Sequence, residues 1–214
     1  PAVKPKIFDP DEAEQLRSRC QGSEAIVTAV KETEKKVKAP KLYDLTTLQR
    51  EANRIYGMTA KQTLDTAQSL YEKKLITYPR TDSQYLTEDM EQTARNVVRQ
   101  IYEKYQLTGP FDQPEQPDVK KVMNNSKVTD HHAIIPTMEL ASCHLDELKS
   151  WEEKILFLIA VHTVMAMSKD HIYQETEIEV ECQEEIFKAK GKIVLQDGWK
   201  LFENCFKNKD RMAI

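Results

Sequence analysis

The chain has 214 residues, 40% of them hydrophobic and 31% charged, which is room for one large or two modest cored domains and excludes disorder or collagen-like repetition. A mean hydropathy of −0.63 without any long apolar run excludes a helical membrane span, and no secretory or lipidation pattern is read at the start, so a soluble, cytoplasmic protein is expected. The net charge of −4 argues against coating nucleic acid through bulk positive charge.

Basic residues nonetheless gather locally, at Lys31, Lys35, Lys36 and Lys38, at Lys120, Lys121 and Lys127, and at Lys188, Lys190 and Lys192. Each cluster taken alone reads as a solvated face. Cys20, Cys143, Cys182 and Cys205 lack both C-x-x-C pairing and histidines at ligand spacing, so neither zinc nor a disulfide framework is expected.

In chain order, a short helix is expected at about 10–20, with Asp9, Asp11 and Glu12 capping it. Ala25–Val30 and the charged run after it read as a strand leaving a core for solvent. Thr46 and Gln49 form a T-x-x-Q capping box with Gly57 at the helix stop, and Thr59 with Gln62 repeats the device. The second helix places Ala60, Leu64, Ala67, Tyr71 and Leu75 on one face expected to be core.

Thr87 with Glu88 and Asp89 opens a third helix, bearing Ala94, Val97, Val98 and Ile101. Gly109-Pro110 closes it, and the segment of Pro114 and Pro117 reads as an ordered loop. A long helix is expected over Leu145–Ser168, with Trp151 and His162 packed in its core stripe. Glu175–Cys182 alternates with period two and Phe187–Leu195 reads as its neighbouring strand. The fold class expected is therefore α+β, predominantly helical. A helical domain over residues 46–170 is inserted into a β-rich domain formed by residues 1–45 and 171–214.

The chemistry centres on Leu75–Ser83. Pro79 fixes its own φ and pushes Tyr78 towards an extended conformation, in which Tyr78 and Arg80 share a face. A phenol beside a guanidinium fork is a nucleophile next to a phosphate clamp. Alone, Tyr-x-Arg is also what a surface tyrosine beside a turn looks like. Asp82 can order Arg80 or bond its own turn.

A second group, Asp130–Thr137, places His131 and His132 before a short apolar run. Adjacent residues of an extended chain face opposite sides, so the two histidines are poor joint metal ligands. One of them is better read as a donor to a phosphate or base, or as a turn histidine satisfied locally.

Four ordered motifs together resemble the type IA DNA topoisomerases, in particular their topoisomerase III-like branch. They are LTTLQREANRIYGMTAKQTLDTAQSLYE, LITYPRTDSQYL, DHHAIIPT and GKIVLQDGWK. Proline at position 79, where bacterial topoisomerase I commonly has methionine, favours that branch. The resemblance implies that Tyr78 attacks a single-stranded DNA phosphodiester, that Arg80 holds the scissile phosphate, and that His131 supports them near the backbone.

Thr81 and Asp82 would support the same centre. His132, Ser83 and Gln49 would lie on the DNA path, although helix capping accounts for Gln49 without DNA. The helical block would be the tyrosine-bearing domain and the β-rich ends the hinge-bearing arch. The acidic TOPRIM domain, with its magnesium, its glutamate, its Asp-x-Asp pair and an assisting lysine, has no counterpart in these residues. No cofactor or metal site is thus expected within the chain, which reads as a fragment inactive alone, with single-stranded DNA and the TOPRIM domain as partners. A binding module that grips single-stranded DNA without cutting it is the alternative, and an interaction scaffold with no nucleic-acid role is a more distant one.

Overall fold

A computed structural model of the chain describes residues 7–107 and 117–206. The stop expected at Gly109-Pro110 and the loop at Pro114 lie outside them. The described chain mixes helix with a single three-stranded sheet and divides into two compact units. One unit comprises the described part of Pro1–Val37 with Ile172–Gln196, and the other the described parts of Lys38–His171 and Asp197–Ile214.

In the first unit, helix α1 (Pro10–Cys20) starts at Asp9, whose carboxylate accepts the Asp11 N–H at 2.9 Å. Proline at its first position loses no bond, because that N–H has no partner inside a helix. Strands β1 (Ile26–Val37), β2 (His171–Cys182) and β3 (Glu185–Gln196) lie in the order β1-β2-β3. The β2–β3 hairpin turns on Gln183 and Glu184, both at positive φ, as the right-handed twist of a two-residue turn demands.

Its antiparallel register sets Glu175 opposite Lys192, Glu177 opposite Lys190 and Glu179 opposite Lys188. Lys188 and Lys190 form ion pairs with their opposite glutamates, and the Lys192 ammonium lies 3.7 Å from the ring centroid of Tyr173. The basic run on β3 is thereby spent on cross-strand pairing.

In the second unit, helices α2 (Leu45–Tyr56), α3 (Ala60–Glu72), α4 (Glu91–Tyr105) and α5 (Ser150–Ala166) surround one core. Helix α5 is its axis: Ile155, Leu156, Leu158, Ile159, Ala160 and Val161 are fully buried, and α2, α3 and α4 each pack against it. Because α5 is buried nearly all round, its sequence reads as continuous apolar residue rather than as a stripe.

Several expectations shift in detail. Helix α2 is capped by Asp44, not by Thr46 and Gln49. The Asp44 carboxylate accepts the Thr47 N–H at 2.7 Å and Thr47 Oγ1 accepts the Asp44 N–H at 3.1 Å. An aspartate two residues ahead of the threonines caps at least as well, so the helix starts there. Gly57, at φ 70°, ends α2 in the left-handed region where a side chain would be strained.

Helix α3 keeps its Thr59–Gln62 box, but buries Thr63, Ala67 and Leu70. The expected face was rotated by this, because Thr63 can be buried once its hydroxyl donates to Thr59 O at 3.0 Å. Tyr71 is left 39% exposed, and Leu75 is buried beyond the helix end.

Thr87 makes no capping bond; a 3-10 turn over Glu88–Met90 precedes α4, and its Glu88 N–H donates to Asn125 Oδ1 instead. Ala94, Val97, Val98 and Ile101 are buried as α4's core face. The last helix is shorter than expected, since Leu145–Glu147 forms a separate 3-10 turn. Trp151 is not core: it is 45% exposed, with the Lys154 ammonium 4.5 Å from its ring centroid. At the first turn of a helix it faces outward, and the lysine four-carbon stem covers it.

The Gly198 turn of the DGWK motif follows from close approach. A Cβ there would stand 2.3 Å from the Asp170 carbonyl oxygen, so only glycine lets the returning chain pass. Among the described residues no helix is long and apolar enough to cross a membrane.

Candidate active site

Helix α3 ends at Glu72, and a turn through Lys74 at φ 61° sends the chain into the irregular segment Leu75–Leu86. Segments without regular pairing must satisfy their backbone some other way, and here short hydroxyl side chains do it. Thr77 N–H donates to Ile135 O at 3.0 Å, while Thr77 Oγ1 accepts the Ile135 N–H and donates to Ala133 O, both at 3.0 Å. Thr81 Oγ1 donates to His131 O at 3.0 Å, and Ser83 Oγ donates to Lys127 O at 2.8 Å. Thr81 O in turn accepts the N–H of Leu45, and the Tyr43 and Tyr85 carbonyls accept the N–H groups of Ile134 and Ala133.

The outcome is alternation. Pro79, Thr81 and Ser83 are buried, whereas Tyr78 is half-buried and Arg80 and Asp82 are exposed. Tyr78, Arg80 and Asp82 thus occupy the open side of a segment fastened on its other side. The Asp130–Thr137 run is not a strand; it touches its neighbours through isolated bridges, Tyr43 to Ile134 and Ile76 to Pro136.

Tyr78 sits between two other rings. His131 lies against it, centroids 4.3 Å apart and tilted by 44°, and Tyr71 meets it edge-on at 5.3 Å and 76°. His131 is exposed, so its imidazole is open to a ligand above the phenol. His132 is half-buried, with Nδ1 2.9 Å from Ala133 O. Arg80 has no ion pair among the described residues, and Asp82 neither pairs with it nor bonds the turn.

Of the residues singled out from sequence, Tyr78, Arg80, Asp82 and His131 share this centre. Thr81 and Ser83 are beneath it as fasteners, with their hydroxyls used on backbone carbonyls. Gln49 lies elsewhere: its amide donates to Ala60 O at 3.0 Å and ties α2 to α3.

Two features escaped sequence reading. Tyr71 was assigned to the core by helical periodicity, and its spacing of seven residues from Tyr78 carries no signal without the intervening turn. The other is Glu152, in the first turn of α5 and buried, which accepts Ser69 Oγ and Lys73 Nζ at 2.6 Å each and the Lys149 N–H at 2.9 Å. Burial alone would raise its pKa, but the lysine and the other donors outweigh that and hold it at about 2. This carboxylate anchors the last turn of α3, the turn that presents Tyr71 to Tyr78.

His162 of α5 stacks on Tyr43 with centroids 3.7 Å apart, and its Nε2–H donates to Lys41 O at 2.7 Å. Desolvation lowers its pKa to about 4, so it packs as a neutral ring. Among the described residues no three His, Cys, Asp or Glu side chains converge as a metal site.

The sequence profile of the DNA topoisomerase family matches residues 2–213. DNA topoisomerase 3 of Bacillus subtilis is 40% identical over 198 residues, covering 91% of this chain and 27% of that protein. DNA topoisomerase 3 of Bacillus cereus is 34% identical over 217 residues, covering 96% of this chain and 28% of the relative. Among solved structures, full-length topoisomerase I from Thermotoga maritima aligns with a TM-score of 0.67 at 25% identity, over 95% of this chain and 33% of that one. The chain belongs to the DNA topoisomerase family, in its type IA, topoisomerase III-like branch. It spans about a quarter of the length of these two relatives.

Proposed function

We propose that this chain is the strand-passage part of a type IA topoisomerase and that Tyr78 is its nucleophile. The observation that carries the reading is the outward row of Tyr78 and Arg80 on a fastened segment, with the His131 ring against the phenol. In the reaction, Tyr78 Oη forms a bond to phosphorus while the bond from phosphorus to the 3′ oxygen breaks. The phenolic proton goes to a base, and the departing 3′ oxygen takes up a proton as a free hydroxyl. The product is a 5′-phosphotyrosyl ester, and resealing is the same exchange reversed, so the phosphodiester energy is kept and no ATP is needed.

Arg80 holds the phosphate and stabilises charge gathering on its free oxygens. His131 supports Tyr78 and offers a donor to the strand. Asp82 shares the same open side as a supporting group, and His132 lies next along the path. The helical unit carries the tyrosine and moves to open a gate for the second strand. Single-stranded DNA is the substrate, and the TOPRIM domain completes the surround that a phenol needs, since a tyrosine with a reference pKa near ~10 is a poor nucleophile at neutral pH. The chain by itself is expected not to relax supercoiled DNA.

The test is to combine the chain with a separately produced TOPRIM domain of a topoisomerase 3, magnesium and end-labelled single-stranded DNA. Covalent protein–DNA adducts that vanish in Tyr78→Phe support the reading. Adduct formation that survives Tyr78→Phe removes Tyr78 from the role, and tight binding without any adduct favours a non-cleaving single-stranded DNA-binding module.

A further inference from the structure

Beside the fastened segment, two lysines far apart in sequence meet on one aromatic ring. The ammonium of Lys41 lies 5.4 Å from the ring centroid of Tyr85, and that of Lys127 lies 5.0 Å from the same centroid. Both lysines are exposed and Tyr85 is half-buried. Lys73, Lys121, Lys188 and Lys190 all pair with carboxylates, whereas neither Lys41 nor Lys127 has a carboxylate partner among the described residues. Each ammonium is held near the same ring and lacks a carboxylate partner among the described residues, so both remain available to anionic groups from outside.

Two of the three residues are mounted on the bonds that fasten the nucleophile's segment, and the third is held by α5. Lys127 O accepts from Ser83 Oγ at 2.8 Å, and Tyr85 O accepts the Ala133 N–H at 2.9 Å. Lys41 O receives the neutral His162 Nε2–H, two residues before the Tyr43 bridge to Ile134. The carbonyls are thereby fixed while both ammonium groups stay free.

We infer that Lys41 and Lys127, spaced by the Tyr85 ring, are a two-point phosphate grip for the single strand whose phosphodiester Tyr78 attacks. The inference rests on the proposed strand-passage reading and adds to it a second backbone contact, away from the scissile phosphate. Lys41 also stands on the rim of a groove of about 960 Å³, bordered by Arg50, Gln84 and Tyr43 among others. Arg50 is exposed there, and the buried Tyr43 hydroxyl has no hydrogen-bond partner among the described residues. A strand held at Lys41 has room and polar lining along which to continue. Tyr85 is a positioning residue: it keeps two flexible side chains apart at a set place.

The experiment measures the affinity of this chain for a single-stranded oligonucleotide across a salt series. Each phosphate contact on a single strand contributes about 0.7 to the slope of log K against log salt. Lys41→Ala combined with Lys127→Ala is expected to lower the slope by about 1.4 and to weaken low-salt binding roughly tenfold. Tyr85→Phe keeps the ring and the parent slope; Tyr85→Leu loses part of it.

An unchanged slope in the folded double variant overturns the grip, even where adducts at Tyr78 still form with the TOPRIM domain present. Failure of the folded parent chain to bind the oligonucleotide at low salt also overturns it. The adduct assay then judges Tyr78 separately.

Discussion

The sheet unit and the loop bundle around Tyr78 both carry dense charge, and they use it in opposite ways. On β2 and β3, Glu177 and Glu179 meet Lys190 and Lys188 across the register, so each charge is answered within the unit. Around Tyr78, Arg80, Lys41 and Lys127 point outward with no carboxylate to meet them among the described residues. The paired lysines of β3 belong to its architecture; the loop bundle's cations are available to an anion that comes from outside. An acidic net charge is thus compatible with a nucleic-acid substrate, because what matters is which cations remain unanswered.

The sharpest way to break this contrast is to remove an unanswered charge at the site. Arg80→Ala is expected to reduce adduct formation roughly 100- to 1,000-fold, the range for losing one preorganised charge-stabilising group. Oligonucleotide binding should fall far less, and Arg80→Lys should restore only part of the activity because a point charge lacks the bidentate fork. An equal loss of binding and cleavage would make Arg80 a general phosphate contact.

Removing a buried, answered charge should act on stability instead. Glu152→Ala takes away the acceptor of three donors and is expected to destabilise the helical unit by about 2–3 kcal/mol in chemical denaturation. The folded pKa of about 2 lies below an unfolded value near ~4.3, so the stabilisation is complete above that value. It is lost as pH falls towards 2. A parent chain whose acid unfolding in this window matches that of Glu152→Ala would contradict the assignment. His162, at about 4 when folded against an unfolded value near ~6.5, adds a separate loss that begins at milder acidity. His162→Phe, which keeps a ring on Tyr43, should remove that earlier phase.

The smallest effect is expected on the sheet. Lys188→Ala with Lys190→Ala deletes two exposed cross-strand pairs and should change thermal stability less than Glu152→Ala does. The salt slope for oligonucleotide binding should stay at the parent value. A reduced slope would show that paired lysines also touch DNA, and the contrast drawn above would fail.

The helices and strands were readable because their signals are local. Thr59 with Gln62, Gly57 as a stop, the buried face of α4 and the alternation of β2 all depend on residues within two turns of one another. Errors arose where a polar side chain found an intramolecular partner. Thr63 could enter the core by bonding Thr59 O, and Asp44 outcompeted Thr46 as the cap.

At the site, Tyr78, Arg80 and His131 were legible as motif chemistry, and Pro79 gave a physical reason for the shared face of Tyr78 and Arg80. Lys41 with Lys127, and Glu152 with Ser69 and Lys73, were not. Each set joins residues about eighty positions apart, which only the folded chain brings together.

The most direct test of Tyr78 is to digest the adduct made with the TOPRIM domain and to identify the nucleotide-bearing residue by mass spectrometry. The account predicts one modified peptide, carrying a 5′-phosphate ester on Tyr78. A nucleotide on Tyr71, Tyr85 or any other side chain would contradict it.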